Sequence, residues 1–253
     1  MTRSRLDPFR LALVLATLGT VFVHTWTSGQ VKTLLHPMLQ PFVLGTGLIL
    51  LAAAALHLAL GPESFGVPPR IFWKNAVRDL CVVVAVAGAV ALAPHSFSSL
   101  ALVNRTGTDP AAALRGKTAA PDTLWQSSTG PDGAIKLETA DLFMAVQTPA
   151  VLAELDGRKV RFIGQFVTSP ESASAGAGDF KIVRFLMFCC AADAQPVAVA
   201  VHSSQPLPPL APMAWAEVTG VVHFPEVSPG KREPVLTLDT VKAIPEPSDK
   251  YLY

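Results

Sequence analysis

Apolar residues gather in three runs, 11–23, 42–60 and 80–93, and beyond Asn104 no comparable run appears. About twenty apolar residues match the thickness of a bilayer core, where a backbone must satisfy its own N–H and C=O groups as a helix. The pattern therefore divides the chain into a membrane half, 1–104, and a half expected to be soluble. The second run is the clearest span, 39–60: Pro41 suits a first helical turn, no charge interrupts 42–60, and Gly61-Pro62 supplies a stop. The first span is predicted over 8–27. Arg3, Arg5 and Arg10 before it give it the look of a signal peptide, and cleavage is the competing reading. Trp26, Thr27 and Gln30 stand where a small-residue cleavage site belongs, so an anchor is preferred. The third span, 76–101, has Arg78 and Asp79 near its start, with the arginine able to reach the headgroups. A re-entrant segment, and so a count of two spans, is the alternative.

Basic residues set the orientation. Arg3, Arg5 and Arg10 fall on one side with Arg70, Lys74 and Arg78, whereas the first loop offers only Lys32. With three spans the N-terminus is cytoplasmic and the C-terminal half extracytoplasmic; two spans would leave that half in the cytoplasm.

Residues 105–135, rich in Thr, Ala, Pro, Gly and Asp without periodicity, read as a flexible linker. From 136 to 253 the pattern changes. Thr139 is predicted to cap a helix over 140–146, and Thr148-Pro149 starts another that ends at the Asp156-Gly157 turn. Strands follow at 159–167, 180–188, 197–201, 215–224 and 234–244. The first alternates Val160, Phe162, Gly164 and Phe166 on one face. Five strands after a short helix predict a small all-β domain, an OB-like barrel, with a sandwich as runner-up. Its length of about a hundred residues suffices for one core.

Composition agrees with a membrane protein: 50% of residues are hydrophobic and 15% charged, and the mean hydropathy is +0.40. A net charge of +1 leaves no footprint for nucleic acid. No Gly-X-Ser-X-Gly, His-Glu-X-X-His, phosphate loop or acid–base pair occurs, so no enzymatic activity is expected.

One segment carries chemistry: Cys189-Cys190-Ala191-Ala192-Asp193, between the second and third predicted strands. Two thiolates are soft ligands for zinc, copper(I) or a trivalent metalloid, and Asp193 or His202 could complete a metal site. Neighbouring side chains on a strand point to opposite faces, so both sulfurs reach one ion only if the strand ends there and the backbone turns. Three other readings stand beside this one. The cysteines could be small buried hydrophobes, a strained disulfide of adjacent residues, or a redox pair lacking the usual two-residue spacer. Cys81 is too distant in sequence to be argued into the site. His24, His36 and His57 fall in or beside the first two spans: His36 reads as interfacial, and His57 stays open. His202 and His223 lie on predicted strands, where a surface or core histidine is the plain alternative to a ligand.

The residues Leu35-His36-Pro37, 94–100, Arg184-Phe185, Cys189 through Pro196, Trp215, Gly220 and the terminal Tyr251-Leu252-Tyr253 together resemble the YcgQ-like permease-complex subunits. The similarity covers nearly the whole chain, and its Cys-Cys-Ala-Ala-Asp-Ala core is its most specific part. An alanine- and glycine-rich insertion at 172–178 departs from it. The resemblance implies an inner-membrane bacterial protein working beside a multi-span permease of the YcgR type, in pairs linked to metal homeostasis. The expectation is thus a non-enzymatic accessory subunit that presents a solute or metal ion. A metal relay through Cys189 and Cys190 is the alternative, and a thiol oxidoreductase the third reading.

Overall fold

The computed structural model describes residues 7–60, 72–92, 114, 129–168 and 178–253. Most of the predicted linker, nearly all of the 172–178 insertion, Gly61-Pro62, the end of the third predicted span beyond Leu92, and Arg3, Arg5 and Arg70 lie outside the described residues. These residues form two units, helices in one and mostly strands in the other.

Apolar sequence becomes helix in the first unit: α1 (Asp7–Thr27), α2 (Val31–Leu34), α3 (Gln40–Leu60) and α4 (Phe72–Ala91). A Cβ on Gly19 would lie 2.9 Å from Gly47 O, and one on Gly47 would lie 3.1 Å from Gly19 O, so α1 and α3 meet backbone to backbone. Away from that seam Leu13 on α1, Leu48, Ile49 and Leu56 on α3, and Leu80 and Val84 on α4 are exposed. Among the described residues only α3 is long and apolar enough to cross a membrane. Its most apolar stretch has a mean hydropathy of 2.2 and is 17% buried, unlike the inner helix of a soluble core. The apolar part of α1 is shorter, from Leu11 to Thr27, and α4 carries Lys74, Arg78 and Asp79. Cys189–Ala191 belong to this first unit. The Leu34–His36 segment holds their backbone, with His36 N–H donating to Cys189 O at 3.0 Å and Ala191 N–H to Leu34 O at 2.8 Å.

The second unit is mostly β, built on one mixed sheet. Its strands are β1 (Ile135–Lys136), β2 (Lys159–Thr168), β3 (Phe180–Leu186), β4 (Gln195–His202), β5 (Trp215–His223), β8 (Val235–Ala243) and β9 (Tyr251–Leu252), while β6 (Glu226–Ser228) and β7 (Lys231–Arg232) form a separate hairpin. The order is β1-β2-β5-β8-β4-β3-β9, with β2 also paired to β3. The pairs β1–β2, β4–β8 and β3–β9 are parallel and the rest of the sheet is antiparallel. Buried Val160, Phe162 and Phe166 on β2, Ile182 on β3, Val197 and Val199 on β4 and Val218 on β5 fill the core. Helices α5 (Thr139–Gln147) and α6 (Pro149–Leu155) add Leu142, Phe143, Val151 and Leu155 to it.

One expected detail is corrected. Thr139 is not the cap of α5: it lies inside the first turn and is buried, and Glu138 takes the N-cap position. The Glu138 N–H donates to Asp141 Oδ2 at 2.8 Å, which satisfies an otherwise orphaned donor at the helix start.

Candidate functional site

The backbone leaves β3 at Leu186 and enters β4 at Gln195, so the cysteines sit in a loop that bends at Phe188 and Cys189 and turns through Ala191 to Asp193. That bend removes the objection from strand alternation. Asp193 Oδ1 accepts the Phe188 N–H at 2.9 Å and folds the loop back over the pair. The two sulfurs lie 3.6 Å apart. One ligand atom each from Cys189, Cys190 and Asp193 falls within 4.8 Å of the others. A tetrahedral zinc with Zn–S bonds of about 2.3 Å needs sulfurs about 3.8 Å apart, so the observed spacing suits such an ion. None of the three cysteines is in a disulfide; Cys189 is exposed and Cys190 partly so.

The structure does not bring His202 into this group. It ends β4, a strand whose eight residues start just after the loop, about 23 Å away at the usual rise, and its Nδ1 lies 3.0 Å from Asp179. His223 ends β5, 3.3 Å from Asp156. His24 is in the last turn of α1, His57 is buried in α3, and His36 Nδ1 accepts the Met38 N–H at 3.2 Å. Cys81 is exposed on α4.

A second cluster escaped the sequence reading. Arg184, in the middle of β3, keeps a side chain only 3% exposed. Its guanidinium bonds the Glu138 carboxylate at the start of α5, donates to Asp249 O at 2.6 Å and Tyr251 O at 3.2 Å, and lies 6.0 Å from the Trp215 ring. One side chain thus ties a strand, a helix cap and the C-terminal segment together. A lone arginine inside the apolar run of β3 was the available signal. Arg161 pairs with Asp132, donates to Thr219 Oγ1 at 3.2 Å and lies 4.0 Å from Glu217. Both arginines, with Lys136, Glu138, Glu217 and Asp249, border a cavity of about 190 Å3.

Two neighbouring groups feel this environment. Burial raises the Asp141 carboxyl above its ordinary 3.8; the hydrogen bond from Glu138 N–H opposes the shift and the Glu138 charge adds to it. Because the folded value exceeds the unfolded one, the fold gains stability from this group as pH falls through the raised value toward 3.8. Burial likewise raises the Tyr253 phenol, with the Asp249 charge adding to the shift and Arg184 opposing it. Arg184→Met is expected to destabilise the β-rich unit by about 3 kcal/mol, because it strands two carbonyl acceptors and a half-exposed glutamate. Denaturant melts of the wild-type and variant chains measure this; a change below about 1 kcal/mol contradicts it.

Comparison with known proteins bears on the same region. The sequence model of the DUF1980 C-terminal domain matches residues 127–253. No curated protein matches the chain. A crystal structure of a DUF3299 family protein from Pseudomonas aeruginosa PAO1 is similar over 59% of this chain and 82% of that one, at 15% identity and a TM-score of 0.28. Nothing about this chain's chemistry follows from a likeness of that size. The match at 127–253 spans half the chain, and the chain belongs to the DUF1980 C-terminal domain family.

Proposed function

We propose that this member of the DUF1980 C-terminal domain family is a membrane-anchored, non-enzymatic accessory subunit. The loop between β3 and β4 takes a soft metal ion, zinc first among them, at Cys189, Cys190 and Asp193 and presents it to a multi-span permease of the YcgR type. The observation that carries this reading is the convergence of three ligand atoms within 4.8 Å on a partly exposed loop. Three protein ligands leave the fourth tetrahedral position open, which suits an ion held in transit better than one locked into a structural site. Thiolates bind only after losing their protons, so capture strengthens as pH rises and acid releases the ion.

The anchor is supported by α3 and by the apolar side chains exposed on α1, α3 and α4, which a bilayer would cover. We read three spans, with the N-terminus in the bacterial cytoplasm and the metal loop on the outer side of the inner membrane. We read the sheet as an OB-like barrel. Pairings run from β2 to β5, β8, β4 and β3 and return to β2, and this circuit supports closure.

Purification of the full chain from native membranes in mild detergent, with its partners identified and its metal measured, tests the proposal. The expected result is a co-purifying multi-span protein and about one zinc per chain. A chain that emerges alone and without a thiophilic metal overturns it.

A further inference from the structure

We propose that Cys189 and Cys190 form a reversible redox couple, closing to a vicinal disulfide by exchange with a low-molecular-weight disulfide, and that closure shuts the loop to metal. The metal half of this inference rests on the function proposed above; the disulfide itself does not.

The backbone brings the sulfurs together before any reaction. On an extended strand neighbouring side chains diverge to opposite faces. Here residues 34–36 pin the pair on both sides: Cys190 forms a β-bridge with Leu35, Cys189 O accepts the His36 N–H at 3.0 Å, and the Ala191 N–H donates to Leu34 O at 2.8 Å. The sulfurs lie 3.6 Å apart, close to the separation of about 3–3.5 Å from which reacting atoms combine. Cys189 is exposed and Cys190 only partly so, which gives the two thiols different parts.

The Cys189 thiolate attacks one sulfur of an incoming disulfide, forms a mixed disulfide and expels the first thiolate. The Cys190 thiolate then attacks Cys189 Sγ. The bond between the two cysteines forms, the mixed disulfide breaks and the second thiolate leaves. Two electrons pass from the pair to the incoming disulfide, and the two cysteine protons end on its thiols. Adjacent Cα atoms stand about 3.8 Å apart, below the span of about 4.4–6.8 Å usual for disulfides, so the ring is strained and easily reduced. Strained or exposed disulfides are the labile ones, suited to switching rather than bracing. Closure also removes both thiolates, the form in which cysteine binds metal. The outer side of the inner membrane, where the proposed function puts the loop, is a compartment in which disulfides form.

The test uses the full chain carrying Cys81→Ser, which leaves the pair as its only thiols, with oxidised glutathione as the probe. Mass spectrometry is expected to show a monomer lighter by two hydrogens and without retained glutathione, and about 5 mM reduced glutathione should restore it. Cys190→Ser in the same background should stop at the mixed disulfide on Cys189. Zinc bound beforehand should slow the oxidation at least about tenfold, and the oxidised chain should bind zinc at least about a hundredfold more weakly than the reduced one. Glutathione retained on both cysteines, a disulfide between two chains, no reaction, or a disulfide that survives reduced glutathione overturns the couple. Equal zinc affinity in both oxidation states overturns the gating. A reduced chain without zinc affinity fails the proposed function and takes the gating with it, while the mass readout still decides the couple.

Discussion

Gly220→Val is expected to cost the β-rich unit about 3–5 kcal/mol, a large part of the 5–15 kcal/mol that holds a typical domain together. A Cβ at this position would fall 2.1 Å from the backbone oxygen of Thr237 on the neighbouring β8 and 3.0 Å from its carbonyl carbon. A flexible side chain could move aside; a paired strand cannot without losing its register. The site coincides with a β-bulge, where the β5–β8 register shifts between Thr219 and Gly220. The absence of a side chain here therefore allows two strands to approach closely at the bulge. Gly230 provides the contrast: its φ is +74°, but a Cβ would meet nothing within 4 Å. Gly230→Ala is therefore expected to cost only about 1 kcal/mol, from backbone strain alone. Denaturant midpoints for the two variants check the order, and equal losses would contradict the close-contact argument.

Cys189→Ser with Cys190→Ser is expected to weaken zinc binding by the full chain at least about a hundredfold, or near 3 kcal/mol, with the melting curve little changed. Serine has nearly the volume of cysteine, and the loop is partly exposed, so lost affinity reports on ligation rather than packing. Asp193→Asn separates the roles of the carboxylate. An amide oxygen still accepts the Phe188 N–H and keeps the loop folded, yet it is a poorer ligand, so a loss of about tenfold is expected. Competition with a chromophoric chelator at fixed pH measures all three proteins. Unchanged affinity in the double variant would reduce the thiols to surface groups.

Strands that bury one face through regular alternation were legible in the sequence. Lys159–Thr168 occupies the predicted 159–167 run, and Val160, Phe162, Gly164 and Phe166 are all buried, joined by Gln165, whose burial the alternation did not predict. Gly157 adopts φ +77°, as the Asp156-Gly157 turn required. Two-residue strands were not legible: β1 and β9 exist because β2 and β3 offer them an edge, and two residues cannot show a period. The β6–β7 hairpin is exposed and includes Glu226, Lys231 and Arg232, so it has no apolar alternation to find. At the helical end, the predicted span beginning at 76 starts earlier, at Phe72.

The candidate sites divide along the same physical line. Cys189, Cys190 and Asp193 were legible because their ligand chemistry lies within five consecutive residues. Whether the backbone turned enough to bring the sulfurs together was a property of the loop, which no residue type specifies. His202 was attached to the site on chemistry alone, and the length of β4 separates it from the loop. Arg184 was hidden for a different reason: its partners Glu138 and Asp249 lie 46 and 65 positions away in sequence. Long-range pairing of strands into the sheet, rather than any local pattern, assembles that cluster.

Zinc-edge X-ray absorption on the metal-loaded full chain is the most direct measurement of the central claim. Two sulfur neighbours at about 2.3 Å and two oxygen or nitrogen neighbours at about 2.0–2.2 Å are expected, from the vicinal thiolates, Asp193 and the open fourth position. A shell of oxygen and nitrogen alone, or of four sulfurs, would contradict it.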